Sequence, residues 1–234
     1  GLCDEGKRLG GGTIGERLEN SPWEVAAVDI DRIRGVAFGG AVYAAVGEVW
    51  AASSADGREW EVHDVPTVWP LNSVAWGNGT FVAVGDEGAL LTSGNGSLWV
   101  DQWSTTSADL ERVAWDGERF VAVGEGGTIL ASADSVNWGP DLSASTADLY
   151  GVAAGDEVAV AVGEGGTILV TTDGSHWFGP LAGVSAELRG VAWNGEHFAA
   201  VGFSPGLGAG SGAAVVLVSA DGLHWSWFPI EAPA

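Results

Sequence analysis

The 234 residues are 46% apolar and 17% charged, with 38 Gly, 13 Trp and no Met, a composition that can bury a core and excludes a disordered chain. Nine Lys and Arg against 31 Asp and Glu leave a net charge of −22, which repels phosphate backbones and anionic lipid and so excludes nucleic acid as a partner. The apolar runs, such as Ala213 to Val218, fall far short of the roughly 20 residues of a spanning helix, so no membrane insertion is expected.

The single cysteine, Cys3, cannot close an internal disulfide, and no Cys and His set has zinc spacing. No cofactor and no metal are expected. The first residue is Gly, as in a processed chain or a piece of a larger protein. The acidic, Lys-poor composition points to a secreted or periplasmic bacterial protein.

Residues 1–32 precede the regular pattern. Within them Gly11 to Trp23 (GGTIGERLENSPW) has the length of Gly126 to Trp138 (GGTILASADSVNW), so the segment reads as a partial unit or a closure of the array. From Ile33 to the end five units follow: IRGVAFGGAVYAAVG from Ile33, LNSVAWGNGTFVAVG from Leu71, LERVAWDGERFVAVG from Leu110, LYGVAAGDEVAVAVG from Leu149 and LRGVAWNGEHFAAVG from Leu188. A period near 39 residues is one supersecondary unit.

Within each unit the alternation in LxxVAW, FVAVG and TILxS has the period of two that a strand needs, and a weaker fourth strand follows the tryptophan of SxDGxxW. Gly77-Asn78-Gly79, Asp116-Gly117 and Asn194-Gly195 supply hairpin turns. Four short antiparallel strands per unit predict an all-β fold, a β-propeller of four-stranded antiparallel blades. Five full blades span 33–234, or six with an incomplete N-terminal blade, in one domain overall. Trp76 with Phe81, Trp115 with Phe120, Trp193 with Phe198 and Phe38 with Tyr43 stand five apart across the first hairpin, whereas unit four has Ala154 and Ala159. Both rings vanish together, as expected of cross-strand partners sharing one volume.

The turn before each fourth strand carries a second signature: Ser54, Asp56, Gly57 and Trp60; Ser93, Asn95, Gly96 and Trp99; Ser132, Asp134 and Trp138; Thr171, Asp173, Gly174 and Trp177; Ser219, Asp221, Gly222 and Trp225. These residues resemble the Asp-box, or BNR, repeats of sialidase-like propellers. Together with VAVGxxGTILxS they are similar to the propeller repeat of photosystem II assembly factors, over residues 33 to 229. The spacing is one residue shorter than S-x-D-x-G-x-x-W, and Asn95 and Ser135 depart from it. The resemblance implies a structural role for the boxes: a short Asp or Asn accepts hydrogen bonds from its own turn.

Equivalent positions on a propeller form rings. The second residue of each first strand is Arg34, Asn72, Glu111, Tyr150 and Arg189. Closure of five blades would make Tyr150, Arg189 and Arg34 neighbours. Arg34, Glu111, Tyr150 and Arg189 resemble the arginine, tyrosine and acid set of sialidases, in which guanidinium groups grip a carboxylate. A second ring, Glu48, Asp86, Glu125 and Glu164 with Phe203 in unit five, forms an acidic face suited to solubility or to a basic partner. Trp50, Trp69, Trp103 and Trp227 lie outside the repeating positions and can stack on sugars, while the Gly-rich stretch 204–213 is a loop that can carry a contact. No catalytic residue stands out. The reading is a non-enzymatic binding or assembly module for a protein partner, with a basic surface on that partner; the alternatives are a lectin for a glycan and a sialidase-like glycoside hydrolase.

Overall fold

The structure is a computed structural model and describes residues 32–155, 158–179, 185–204 and 213–229. It is all-β, and every main sheet is a meander of strands in chain order. Blade 1 contains β1 (Ile33–Gly39), β2 (Val42–Gly47), β3 (Trp50–Ser54) and β4 (Glu61–Asp64). Blade 2 contains β5 (Leu71–Gly77), β6 (Thr80–Gly85), β7 (Leu90–Ser93) and β8 (Val100–Asp101). Blade 3 contains β9 (Leu110–Trp115), β10 (Phe120–Gly124), β11 (Ile129–Ser132) and β12 (Gly139–Pro140).

After β13 (Leu142–Ser143), blade 4 contains β14 (Leu149–Ala154), β15 (Ala159–Gly163) and β16 (Ile168–Thr171). Its fourth strand is reduced to a bridge between Val170 and Phe178. The expected outer strand, β17 (His176–Trp177), instead pairs in parallel with β13. The cause is local: Leu142 donates its N–H to Ser175 O, and Trp177 Nε1 donates to the Asp141 carboxylate, so the segment is drawn toward the linker from blade 3. Blade 5 contains β18 (Glu187–Trp193), β19 (Phe198–Ser204), β20 (Ala213–Ser219) and β21 (Ser226–Pro229).

The first hairpins carry the predicted aromatic pairs. Phe38 faces Tyr43, Trp76 faces Phe81, Trp115 faces Phe120 and Trp193 faces Phe198, with ring centroids 4.5, 4.5, 4.7 and 4.4 Å apart. Ala154 faces Ala159 in the same register. The Asn78 and Gly79 backbones are both left-handed, the conformation a two-residue hairpin needs.

The apolar cores lie between blades rather than within them. β1 packs on β5, β5 on β9, β9 on β14 and β14 on β18. Ala44 and Val46 of blade 1 thus share a core with Phe81 and Leu91 of blade 2; Val82 and Leu90 pack with Phe120; Val121 and Ile129 pack with Leu169; Val160 and Ile168 pack with Phe198 and Leu217. Full burial of a Phe or Leu side chain contributes about 2–3 kcal/mol. Trp76 and Trp115 lie against the preceding blade at Gly39 and Gly77, where a Cβ would fall about 2 Å from the indole. The outward faces of the end blades keep Val36 and Phe38 on one side and Val201 and Phe203 on the other about half exposed. Gly11 to Trp23, expected to be a partial unit or a closure of the array, and most of the Gly-rich loop lie outside the described residues.

Candidate functional site

Antiparallel meanders sort the connections onto two ends. The turns between first and second strands, and the turns that carry Asp56, Asn95, Asp134, Asp173 and Asp221, fall at one end. The other end holds the starts of all first strands, the turns from second to third strands and the blade-to-blade linkers.

At this linker end the register slips once in each first hairpin. The residue left unpaired is Arg34, Asn72, Glu111, Tyr150 or Arg189 in turn. A bulge re-aims its side chain, so five blades present one re-aimed residue each. Arg34 donates to Asn72 Oδ1 at 2.5 Å and to Glu48 Oε1 at 2.9 Å. Asn72 is 5% exposed and donates in turn to Asp86 Oδ1 and to Leu110 O of the next blade. Arg112 donates to the carbonyls of Glu111 and Asn72. Arg189 stacks over the Tyr150 ring with its guanidinium carbon 4.1 Å from the centroid, and donates to Glu187 at 2.5 Å.

Burial pushes the Glu111 carboxyl up, against the pull of Arg112; Asp86 and Asp109 push the same way as burial, and Arg189 opposes them. Burial also raises the Tyr150 phenol. Glu111 thus feels charges from blades 2, 3 and 5 at this end. Arg34 and Arg189 each have a carboxylate partner already, and no bond joins them among the described residues. Arg34 is paired with Glu48 and Arg189 with Glu187, so the two guanidiniums do not converge as the resemblance to sialidases implies.

The acidic ring flanks these residues. Asp86, Glu125 and Glu164 open 3-10 turns at 86–88, 125–127 and 164–166, with Glu125 and Glu164 exposed to solvent. Phe203 lies within β19. Of the four tryptophans, Trp50 is buried at the start of β3 against Gly47, which removes it as a stacking platform. Trp69 and Trp103 line one groove of about 610 Å³ at the linker end. Trp227 is half exposed on β21 and does not line that groove.

The box residues build turns. Asp56 Oδ1 accepts the N–H groups of Arg58 and Glu59, Ser54 Oγ accepts that of Gly57, and Trp60 Nε1 donates to Gly57 O. Asn95 makes the same pair of contacts, to Ser97 and Leu98. Asp134, Asp173 and Asp221 accept from Asn137, His176 and His224. These backbone donors, with the His224 ring first for Asp221, hold the Asp134, Asp173 and Asp221 carboxyls well below the usual range and lower that of Asp56. Among the described residues no three His, Cys, Asp or Glu side chains gather as metal ligands, and no helix is long and apolar enough to cross a membrane.

At the opposite end, a cavity of about 530 Å³ opens between blades 3 and 4 beside Ala159, where the fourth unit lacks its rings. Arg119 stands there with its Nη2 3.0 Å from Asp141 and its Nε 3.2 Å from Asp116. Only the two missing aromatics at Ala154 and Ala159 mark this place in the sequence.

No protein-family model matches the chain, and no curated protein matches it. Solved structures do. A structure described as YCF48 bound to D1 peptide is 18% identical, covers 83% of this chain and 80% of its own, and has a TM-score of 0.57. YCF48 from Cyanidioschyzon merolae is 14% identical over 84% and 85% of the two chains, with a TM-score of 0.59. The WD40 β-propeller domain of Doa1 is 11% identical over 86% and 83%, with a TM-score of 0.58. At these identities the likeness is one of fold, and with the meandering four-stranded sheets it identifies the chain as a β-propeller.

Proposed function

We propose that the chain is a non-enzymatic binding module whose linker end receives a protein partner through a basic surface. The observation that carries the reading is the run of five bulges, which aims Arg34, Asn72, Glu111, Tyr150 and Arg189 at one end of the array. A position bulged in every unit yet different in residue type in nearly every unit is a fixed frame holding variable contents, the arrangement of a recognition surface on a rigid scaffold. The surrounding Glu48, Asp86, Glu125, Glu164 and Glu187 outnumber the arginines, so the complementary surface is basic. A fold neighbour with a bound peptide is consistent with this role.

Selection of a random displayed peptide library on the full chain tests the reading. Enriched peptides should be rich in Lys and Arg and bind more weakly as salt rises. The double charge reversal Glu125→Lys/Glu164→Lys should weaken them about tenfold or more. Reversal at the other end, Glu118→Lys/Glu196→Lys, should leave them within about twofold. Enriched peptides that ignore the linker-end reversal, or no enrichment at all, would refute it.

A further inference from the structure

The Trp69 and Trp103 groove departs from the repeat in a way that the other blades make visible. It lies between the linker entering blade 2 and the linker leaving it, with Val68 and Thr106 among its walls. Trp103 is 82% exposed and Trp69 46%. Such large rings left in water need an account. The equivalent of Trp103 in the next unit is Leu142.

Two carboxylates line the same groove, Glu87 and Asp101, and no Lys, Arg or His does. Both residues are exposed, and neither carboxylate has a hydrogen-bond or ion-pair partner among the described residues. Glu87 sits at φ +52°, a position filled in the next two units by Gly126 and Gly165 at φ +62° and +64°. A side chain in this left-handed region costs about 1 kcal/mol. In the linker beside it, Thr105 is held at φ +66°. Blade 2 thus carries backbone strain where its sisters carry glycine, and the return is an unpaired carboxylate next to two indoles.

We infer that this groove binds an arginine-bearing segment of a partner protein, with the guanidinium stacked on Trp69 or Trp103 and paired with Glu87 and Asp101. An indole face attracts a cation through its quadrupole. The guanidinium is the weakly hydrated, planar cation that stacks and bonds a carboxylate together. The walls supply two negative charges and no positive one, in a chain of net charge −22, so an anionic ligand is repelled. A neutral sugar would leave both carboxylates without a counter-charge. The inference rests on reading the linker end as the partner-facing end.

Fluorine NMR of the full chain labelled with 5-fluorotryptophan tests it, with signals assigned through Trp69→Phe and Trp103→Phe. Acetyl-Arg-Arg-Arg-amide at low ionic strength should shift the Trp69 and Trp103 signals saturably and leave Trp227 in place. Trp103→Ala, and separately Glu87→Gln/Asp101→Asn, should each raise the apparent Kd about tenfold, whereas Glu118→Gln/Glu196→Gln, with the same charge change, should stay within about twofold. Equal weakening by the groove and remote charge variants would reduce the effect to bulk attraction and overturn the inference. Movement of the two signals by chitotriose but not by the peptide would overturn it in favour of a glycan. Library peptides that need Glu125 and Glu164 while tri-arginine ignores the groove would sink the groove alone. Groove binding without any such peptide would sink the wider reading instead.

Discussion

The Asp109 carboxylate, one residue before blade 3, accepts the N–H of Glu87 in blade 2 at 2.8 Å. Its own carbonyl accepts the N–H of Glu125 in blade 3 at 2.9 Å. Asp148 repeats the arrangement one unit on, with Gly126 N–H on its side chain at 2.8 Å and Glu164 N–H on its carbonyl. Each aspartate clasps two consecutive blades. Asp109→Ala and Asp148→Ala should each cost about 1–2 kcal/mol, the range for a charge-assisted hydrogen bond near solvent. Urea unfolding of the single and double variants checks this. The double loss should be near additive, since the two clasps share no partner.

Gly124 is extended at φ −172°, so its requirement is for space and not for handedness. A Cβ there would stand 1.9 Å from Asp109 O, and the same collision occurs at Gly85 with Pro70 O and at Gly163 with Asp148 O. Gly124→Ala should therefore destabilise by more than about 3 kcal/mol, in the tail of single-substitution effects. Gly94, which has nothing within 4 Å of its Cβ position and no positive φ, serves as the contrast. Gly94→Ala should be neutral or stabilise by up to about 1 kcal/mol, by restricting the unfolded chain. Thermal melts of the two variants side by side decide it.

Acid should loosen the turns. Asp56, Asp134, Asp173 and Asp221 titrate below their ordinary value of 3.8 in the folded chain, chiefly through backbone and His or Asn donors. Carboxyls depressed by folding stabilise above the unfolded pKa, and that contribution is lost as pH falls through the folded one. Glu111 and Asp141, raised by burial, act in the opposite sense. The expected result is a melting temperature that falls between about pH 5 and pH 2. Asn95 already fills the box of blade 2 with the same two backbone contacts, so Asp56→Asn/Asp134→Asn/Asp173→Asn/Asp221→Asn should keep the fold at neutral pH and flatten the acid limb. An acid limb as steep as that of the parent chain would contradict the assignment.

Much of this architecture was legible because it repeats. The period marks the blades, and the joint loss of aromatics at Ala154 and Ala159 marks the first hairpin register in which those two residues pair. The repeat is silent where one unit breaks from its sisters. Trp177 has the box spacing, yet its indole donates to Asp141 rather than to its own turn, a long-range choice that no local signature encodes. Trp50 stands outside the repeating positions as Trp103 does, but burial separates them, because only the fold reveals that Trp50 sits against Gly47. The bulges at Arg34 and its equivalents are equally silent, since an unpaired residue depends on the neighbouring strand. The ring position is legible in the repeat, whereas its bridging through Asn72 to Asp86 and Leu110 O depends on how two blades meet.

Because each apolar core among the described residues is held jointly by two successive sheets, the smallest piece that can be added or removed cleanly is a whole period, cut at equivalent points. Duplicating Leu71 to Asp109 would recreate two matched seams and enlarge the array, whereas a break inside a sheet would strand half a seam on each side. Growth and loss by complete modules is thus the route of change this molecule tolerates, and any new recognition face would arrive with its module attached.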